Sequence, residues 1–153
     1  VQSPINAYML NLGLESLHVR MARHCENGQA VAEFLASHPK IAYVNYCGLP
    51  GDKYHAVAEK YLPNGSCGVV SFGVKGGREA AAAFMGHLKI AAIETHVADA
   101  RTCCLHPASS THRQMNDEQL IAAGVQPDLV RMSCGLEDKN DLIHDIAQAL
   151  DQI

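Results

Sequence analysis

Leu129-Val130-Arg131-Met132-Ser133-Cys134-Gly135 decides how the rest of this sequence is read. It is a short apolar run with one permanent cation at its centre, and Gly135-Leu136 leads into an acidic helix start at Glu137-Asp138. Side chains alternate across a strand, so Val130, Met132 and Cys134 share one face, and Arg131 and Ser133 share the other. A guanidinium fixed on a rigid strand can grip a carboxylate through two parallel hydrogen bonds. The plain alternative is a strand arginine that faces water.

Outward from this strand the chain alternates. Ile41 to Tyr46 and Gly68 to Val74 read as strands, and residues 90–105 hold one or two more. Lys53 to Tyr61, Arg78 to Leu88, Asp117 to Ala123 and Asp138 to Ile153 read as helices. Gly48-Leu49-Pro50-Gly51-Asp52 and Pro107 to Asn116 are loops. This predicts an α+β fold, an open sheet with helices packed on one face.

The first segment is different. Ser3 caps and Pro4 opens a helix. Met9, Leu12, Ser16 and Val19 form one stripe at helical spacing, and Leu10, Leu14, Leu17 and Met21 form a second. Two stripes mean two surfaces to pack against. Helical character continues to about Ser37, before His38-Pro39. Such a helix would run about 50 Å. That is too long for a small domain, so it bends near Gly28 or bridges two domains. The division predicted is a long interdomain helix over 1–38 and a small domain over 39–153. The chain opens at Val1 rather than Met, and the sequence reads as a piece of something longer.

Composition narrows the function. The 153 residues are 48% hydrophobic, enough for a real core, and no run approaches the ~18 apolar residues of a membrane span. Net charge is −4, which argues against nucleic acid or an anionic membrane as the main partner. Cys103 and Cys104 are adjacent and most of the six cysteines sit in apolar runs. Free buried thiols in a reducing cytoplasm fit better than disulfides. Cys103, His106 and His112 match no zinc spacing, so no metal site is predicted. Lys75-Gly76-Gly77-Arg78 lacks the spacing of a phosphate loop and reads as a strand-to-helix turn. In His106-Pro107-Ala108-Ser109-Ser110-Thr111-His112 the hydroxyls either bond nearby backbone or line a polar substrate entrance. No Gly-x-Ser-x-Gly elbow supports a hydrolase.

Several motifs combine into a resemblance. Ser3-Pro4 with Asn6-Ala7, Gly13 to Met21 with Arg23-His24, Gly48-Leu49-Pro50 after Tyr46, and Ser71-Phe72 with Val74 to Gly77 come first. His106 to His112 and Leu129 to Asp138 complete the set. In this order and spacing the chain resembles the C-terminal part of the Cys/Met-metabolism family of pyridoxal-phosphate enzymes. Thr111 to Met115 leans toward its O-acetylhomoserine sulfhydrylase branch.

The resemblance implies a fold type I enzyme, of which this chain is the long helix plus the small C-terminal domain. It implies substrate-binding roles for Arg131 on the α-carboxylate and for Thr111 in the same pocket. His96 falls where relatives usually carry Ser or Asn beside that carboxylate, and Ala98 replaces a usual Gly. The catalytic lysine and the pyridoxal 5'-phosphate ligands lie upstream in relatives. The implied cofactor is therefore bound by the missing N-terminal large domain, with no catalytic residue in this chain. The implied partners are that large domain, an amino-acid substrate and further copies in a tetramer. The implied reaction converts O-acetylhomoserine and sulfide or a thiol to homocysteine or methionine and acetate. Cystathionine γ-synthase or lyase, methionine γ-lyase, and a free-standing amino-acid-binding module are the alternatives, and a zinc-binding domain ranks last.

Overall fold

A computed structural model describes all 153 residues. Helix α1 (Pro4–Glu15) opens on Ser3, whose side chain accepts from the Asn6 amide. Helix α2 (Leu17–Ser37) follows. The expected continuous helix is thus interrupted at Ser16, not at Gly28. Ser16 leaves the helical region (φ −102°, ψ 5°). The freed Gly13 carbonyl is taken by the Arg20 guanidinium, whose Nε also donates to the Ser16 hydroxyl. A weak helix former, a competing hydroxyl and a long cation combine to stabilise the break. Gly28 stays helical because it packs closely. A Cβ there would come within 2.5 Å of the Cys67 carbonyl oxygen.

Beyond α2 lie strand β1 (Ile41–Asn45), helix α3 (His55–Tyr61), strand β2 (Val69–Val74) and helix α4 (Gly77–His87). Strands β3 (Ala92–Ile93) and β4 (Cys103–Leu105), a 3₁₀ turn at Pro107–Ser109 and helix α5 (Asp117–Ala122) come next. Strand β5 (Leu129–Ser133) and helix α6 (Lys139–Asp151) complete the chain. The sheet order is β1-β2-β5-β4-β3, antiparallel except for the β3–β4 pair. β5 lies at the centre, with Arg131 opposite Ser71 on one side and Leu105 on the other.

Period-two alternation decides what the sheet does with each face. Val70, Phe72, Val74, Cys104, Val130 and Met132 join Val31 and Leu35 of α2, Phe84 of α4 and Leu142, Ile146 and Leu150 of α6 in one buried core. Phe72 and Phe84 meet edge to face at 5.8 Å. The helices therefore cover one face, as predicted. The other face carries Ser71, Gly73, Cys103, Leu105, Arg131 and Ser133. All six cysteines are free thiols. Burial pushes the Cys134 thiol up to about 12 and the Cys104 thiol upward as well, so both pack as small apolar groups. No helix is long and apolar enough to cross a membrane.

Candidate functional site

The outer face of β5 is where chemistry gathers. Arg131 is half-buried there, and its Nη2 donates to the Thr95 carbonyl at 2.8 Å. Two residues on, the buried Ser133 hydroxyl accepts from the Ala98 amide at 3.0 Å. Two outward residues of one strand thus hold the segment between β3 and β4 across the sheet. Ala98 itself takes a left-handed backbone (φ 59°), the one non-glycine residue to do so.

The guanidinium is incompletely satisfied. Its Nε–H is shielded from solvent and has no acceptor. Leaving a buried donor unpaired costs about 1–3 kcal/mol, more for a charged group. The Arg131 side chain is thus only partly open to water.

A second network fixes the base of this arrangement. The Glu137 carboxylate accepts from the Thr102 amide at 2.7 Å and from the Thr102 hydroxyl at 2.8 Å. The Thr102 hydroxyl in turn accepts from the Gly135 amide at 2.8 Å. From α2, His24 Nδ1 donates to the Cys134 carbonyl at 2.7 Å, and Asn27 donates to the carbonyls of Gly135 and Glu137 at 2.9 and 2.8 Å. Gly135 has no room for a side chain, because a Cβ would come within 2.5 Å of the Ala100 carbonyl oxygen. Sequence reading found Glu137 only as a helix-start acid. The cap is Asp138, which accepts from the Asn140 amide. Glu137 turns back instead, and nothing in its spacing signals Thr102 as its partner. The His24–Asn27 pair carried a signal, two polar residues on an otherwise apolar helix stripe.

The other predicted substrate residues are placed less decisively. Thr111 is exposed, with its hydroxyl 2.9 Å from His112 Nδ1. His96 is exposed, and its Nδ1 lies 2.9 Å from Glu94 Oε2. Neither bonds to Arg131, although His96 follows Thr95, whose carbonyl Arg131 holds. The hydroxyl-rich loop divides. Ser110 donates to the His106 carbonyl, so it stabilises local backbone. His106 is buried with both nitrogens engaged. Its Nε2 donates to the Pro127 carbonyl, leaving Nδ1 to accept from Ser109. Cys103, His106 and His112 do not converge. Arg78 secures the loop from outside through the Ala108 and Met115 carbonyls and the Asp117 carboxylate. Lys75 donates to the Pro39 carbonyl, and Gly76 and Gly77 supply the left-handed turn, so that segment is the expected strand-to-helix connection.

Covalent capture of an aldehyde cofactor needs a desolvated, poised amine. Lys40 is bonded to the Leu150 and Ile153 carbonyls and Lys139 to Glu26. Lys53 and Lys60 lie over the adjacent Tyr54 and Tyr61 rings, and Lys89 is exposed. None of the six lysines fits that role, so no step through such a cofactor is derived from these residues.

Comparison with known proteins gives a consistent result. Residues 1–151 match the family described as Cys/Met metabolism PLP-dependent enzyme. An O-acetyl-L-homoserine sulfhydrylase of Leptospira meyeri is 45% identical, over 99% of this chain and 34% of its own length. An L-methionine γ-lyase of Treponema denticola is 40% identical, over 98% of this chain and 37% of its own. A solved structure from Campylobacter jejuni superposes with a TM-score of 0.88 at 39% identity, covering 97% of this chain and 35% of that one. That protein is described as a candidate O-acetylhomoserine (thiol)-lyase and carries a pyridoxyl-lysine phosphate. The chain thus spans about a third of the length of the relatives it matches.

Proposed function

Because the chain belongs to the Cys/Met metabolism family of PLP-dependent enzymes, we propose that it is the part of such an enzyme that holds the α-carboxylate of an amino-acid substrate. Arg131 is the holding residue. The observation that supports this is its buried Nε–H without an acceptor, on a guanidinium otherwise oriented by the Thr95 carbonyl. Thr111 lines the same pocket and His96 borders it. Residues 1–38, whose second half packs into the core of the small domain 39–153, join it to a large domain that supplies the cofactor, its lysine anchor and much of the tetramer interface.

The reaction proposed is γ-replacement, in which O-acetylhomoserine and sulfide or a thiol give homocysteine or a thioether amino acid and acetate. The sulfhydrylase relative at 45% identity supports that substrate. The γ-lyase relative at 40% supports a second reading, elimination from methionine. Arg131 contributes the same in either case. It fixes the substrate's carboxylate end so that the bonds to be broken are held over the cofactor.

The test uses the longer protein that contains this chain. Arg131→Ala removes a charge-assisted pair of about 2–3 kcal/mol, or roughly 30- to 150-fold in KM for the amino acid. KM for sulfide should change little. Equal effects on both substrates, or none, remove Arg131 from the pocket. Supplying methionine alone, against O-acetylhomoserine with sulfide, separates the two readings. The 153-residue chain by itself is expected to be inactive in both assays.

A further inference from the structure

The segment that Arg131 holds carries a second constellation. Glu94, His96, Asp99 and Cys103 each offer one ligand atom, and the four atoms lie within 4.8 Å of one another. His96 Nδ1 is 2.9 Å from Glu94 Oε2 and 3.8 Å from Asp99 Oδ2. Cys103 Sγ is 3.9 Å from the same Glu94 Oε2.

Arg101 sorts the carboxylate oxygens. It lies 3.3 Å from Glu94 Oε1, and its own amide donates to Asp99 Oδ1 at 3.0 Å. The outer oxygens are thereby occupied, and Oε2 and Oδ2 turn inward toward the imidazole and the thiol. Arg101 also balances charge, because two carboxylates and a thiolate around a divalent ion would otherwise leave one negative charge uncompensated. Cys103 is 1% exposed and held at its backbone by pairing to β5, so the thiol is a fixed wall of the site.

We propose that Glu94, His96, Asp99 and Cys103 form a binding site for a divalent transition-metal ion of the zinc class. Bonds of about 2.0–2.3 Å place tetrahedral ligands about 3.3–3.8 Å apart, so the His96–Glu94 pair at 2.9 Å opens slightly and the wider pairs, none beyond 4.8 Å, close around the ion. One thiolate, one imidazole and two carboxylate oxygens form a borderline set that excludes magnesium and calcium, which take oxygen alone. On binding, the Cys103 S–H bond breaks and its proton goes to solvent; the His96 proton that Nδ1 donates to Glu94 is lost, leaving the neutral ring protonated at Nε2; and the sulfur–metal and Nδ1–metal bonds form. The ion joins the two ends of the loop whose Thr95 carbonyl holds Arg131. The proposal rests on this loop's geometry; it shares His96 with the border of the proposed substrate pocket, but metal binding by the chain does not depend on the enzyme activity. Sequence reading missed it by pairing Cys103 with His106 and His112 further along the chain.

The test titrates the 153-residue chain with cobalt(II) and reads the thiolate-to-metal charge-transfer absorption, with stoichiometry from native mass spectrometry. One ion per chain with a thiolate band is expected. Cys103→Ser should abolish the band, Asp99→Asn should weaken binding by at least about tenfold, and Cys25→Ser should change neither. A band that survives Cys103→Ser, or binding without a thiolate band, overturns the site. If circular dichroism finds Cys103→Ser unfolded, Glu94→Gln decides, and undiminished affinity in that variant overturns it equally.

Discussion

His106 gives the residue scale its clearest titration. Its ring is buried, and in the neutral form Nε2 donates to the Pro127 carbonyl while Nδ1 accepts from Ser109. Burial lowers its pKa from the ordinary 6.5, and the Arg78 cation adds to this. The Pro127 bond and the Asp128 carboxylate oppose it. A folded value below the unfolded one means that the unfolded chain binds the proton more readily. The ring's contribution to stability is complete above about 6.5 and drains away as pH falls from there through the folded value. Urea denaturation at stepped pH should show the midpoint declining below 6.5, with a shallower decline in His106→Gln. Identical slopes would mean that His106 does not titrate with folding. Arg131 shows how far a single residue is legible. Strand alternation placed it on the face opposite Val130 and Met132, and that is where it lies. Its bond to Thr95 and its unpaired Nε depend on a segment 36 residues away in the chain, which no local pattern encodes. The inward convergence of Glu94, His96, Asp99 and Cys103 was equally hidden, because it needs a loop folded back on a strand.

At the scale of elements, local patterns carried most of the information. Capping by Ser3, Asn116 and Asp138, the glycine turn before α4, and alternation in β2 and β5 all lie within a few residues of what they determine. The helix break at Ser16 was missed because helical spacing continues on both sides of it, with Ser16 read as one polar member of a stripe, and the Arg20 side chain that stabilises it reaches back seven residues. Asp145 is another long-range tie. It is 4% exposed on α6, and its carboxylate accepts from the Lys89, Ile90 and Ala91 amides at 2.8, 2.9 and 3.0 Å. This clamp fixes the entry to β3, and so the start of the loop that ends at Cys103. Asp145→Ala leaves three amides without an acceptor and should cost about 3 kcal/mol or more in a denaturant titration. Asp145→Asn keeps one acceptor oxygen and should lose less. A loss below about 1 kcal/mol in the alanine variant would mean that water replaces the carboxylate at little cost.

The whole molecule is divided by burial rather than by sequence. From His24 onward α2 is built into the core, with Val31, Ala32 and Leu35 fully covered. Helix α1 has no buried residue at all, and Ile5, Met9, Leu10 and Leu14 are each at least 60% exposed. A twelve-residue helix that buries no side chain is marginal in water. Its two apolar stripes were legible in the sequence as two surfaces to pack against, and this chain provides neither. In the isolated chain α1 therefore contributes almost nothing to global stability. Leu14→Ala should change the unfolding free energy by no more than about 0.5 kcal/mol, whereas Leu35→Ala should cost about 2–5 kcal/mol. Amide hydrogen exchange should follow the same division, near the unfolded rate in α1 and among the slowest along the second half of α2. In the longer protein proposed above, α1 lies between two domains. Its amides should then become protected and Leu14→Ala should become costly. If Leu14→Ala destabilises the isolated chain as much as Leu35→Ala does, α1 already packs within it, and the assignment of residues 1–38 as an interdomain helix fails.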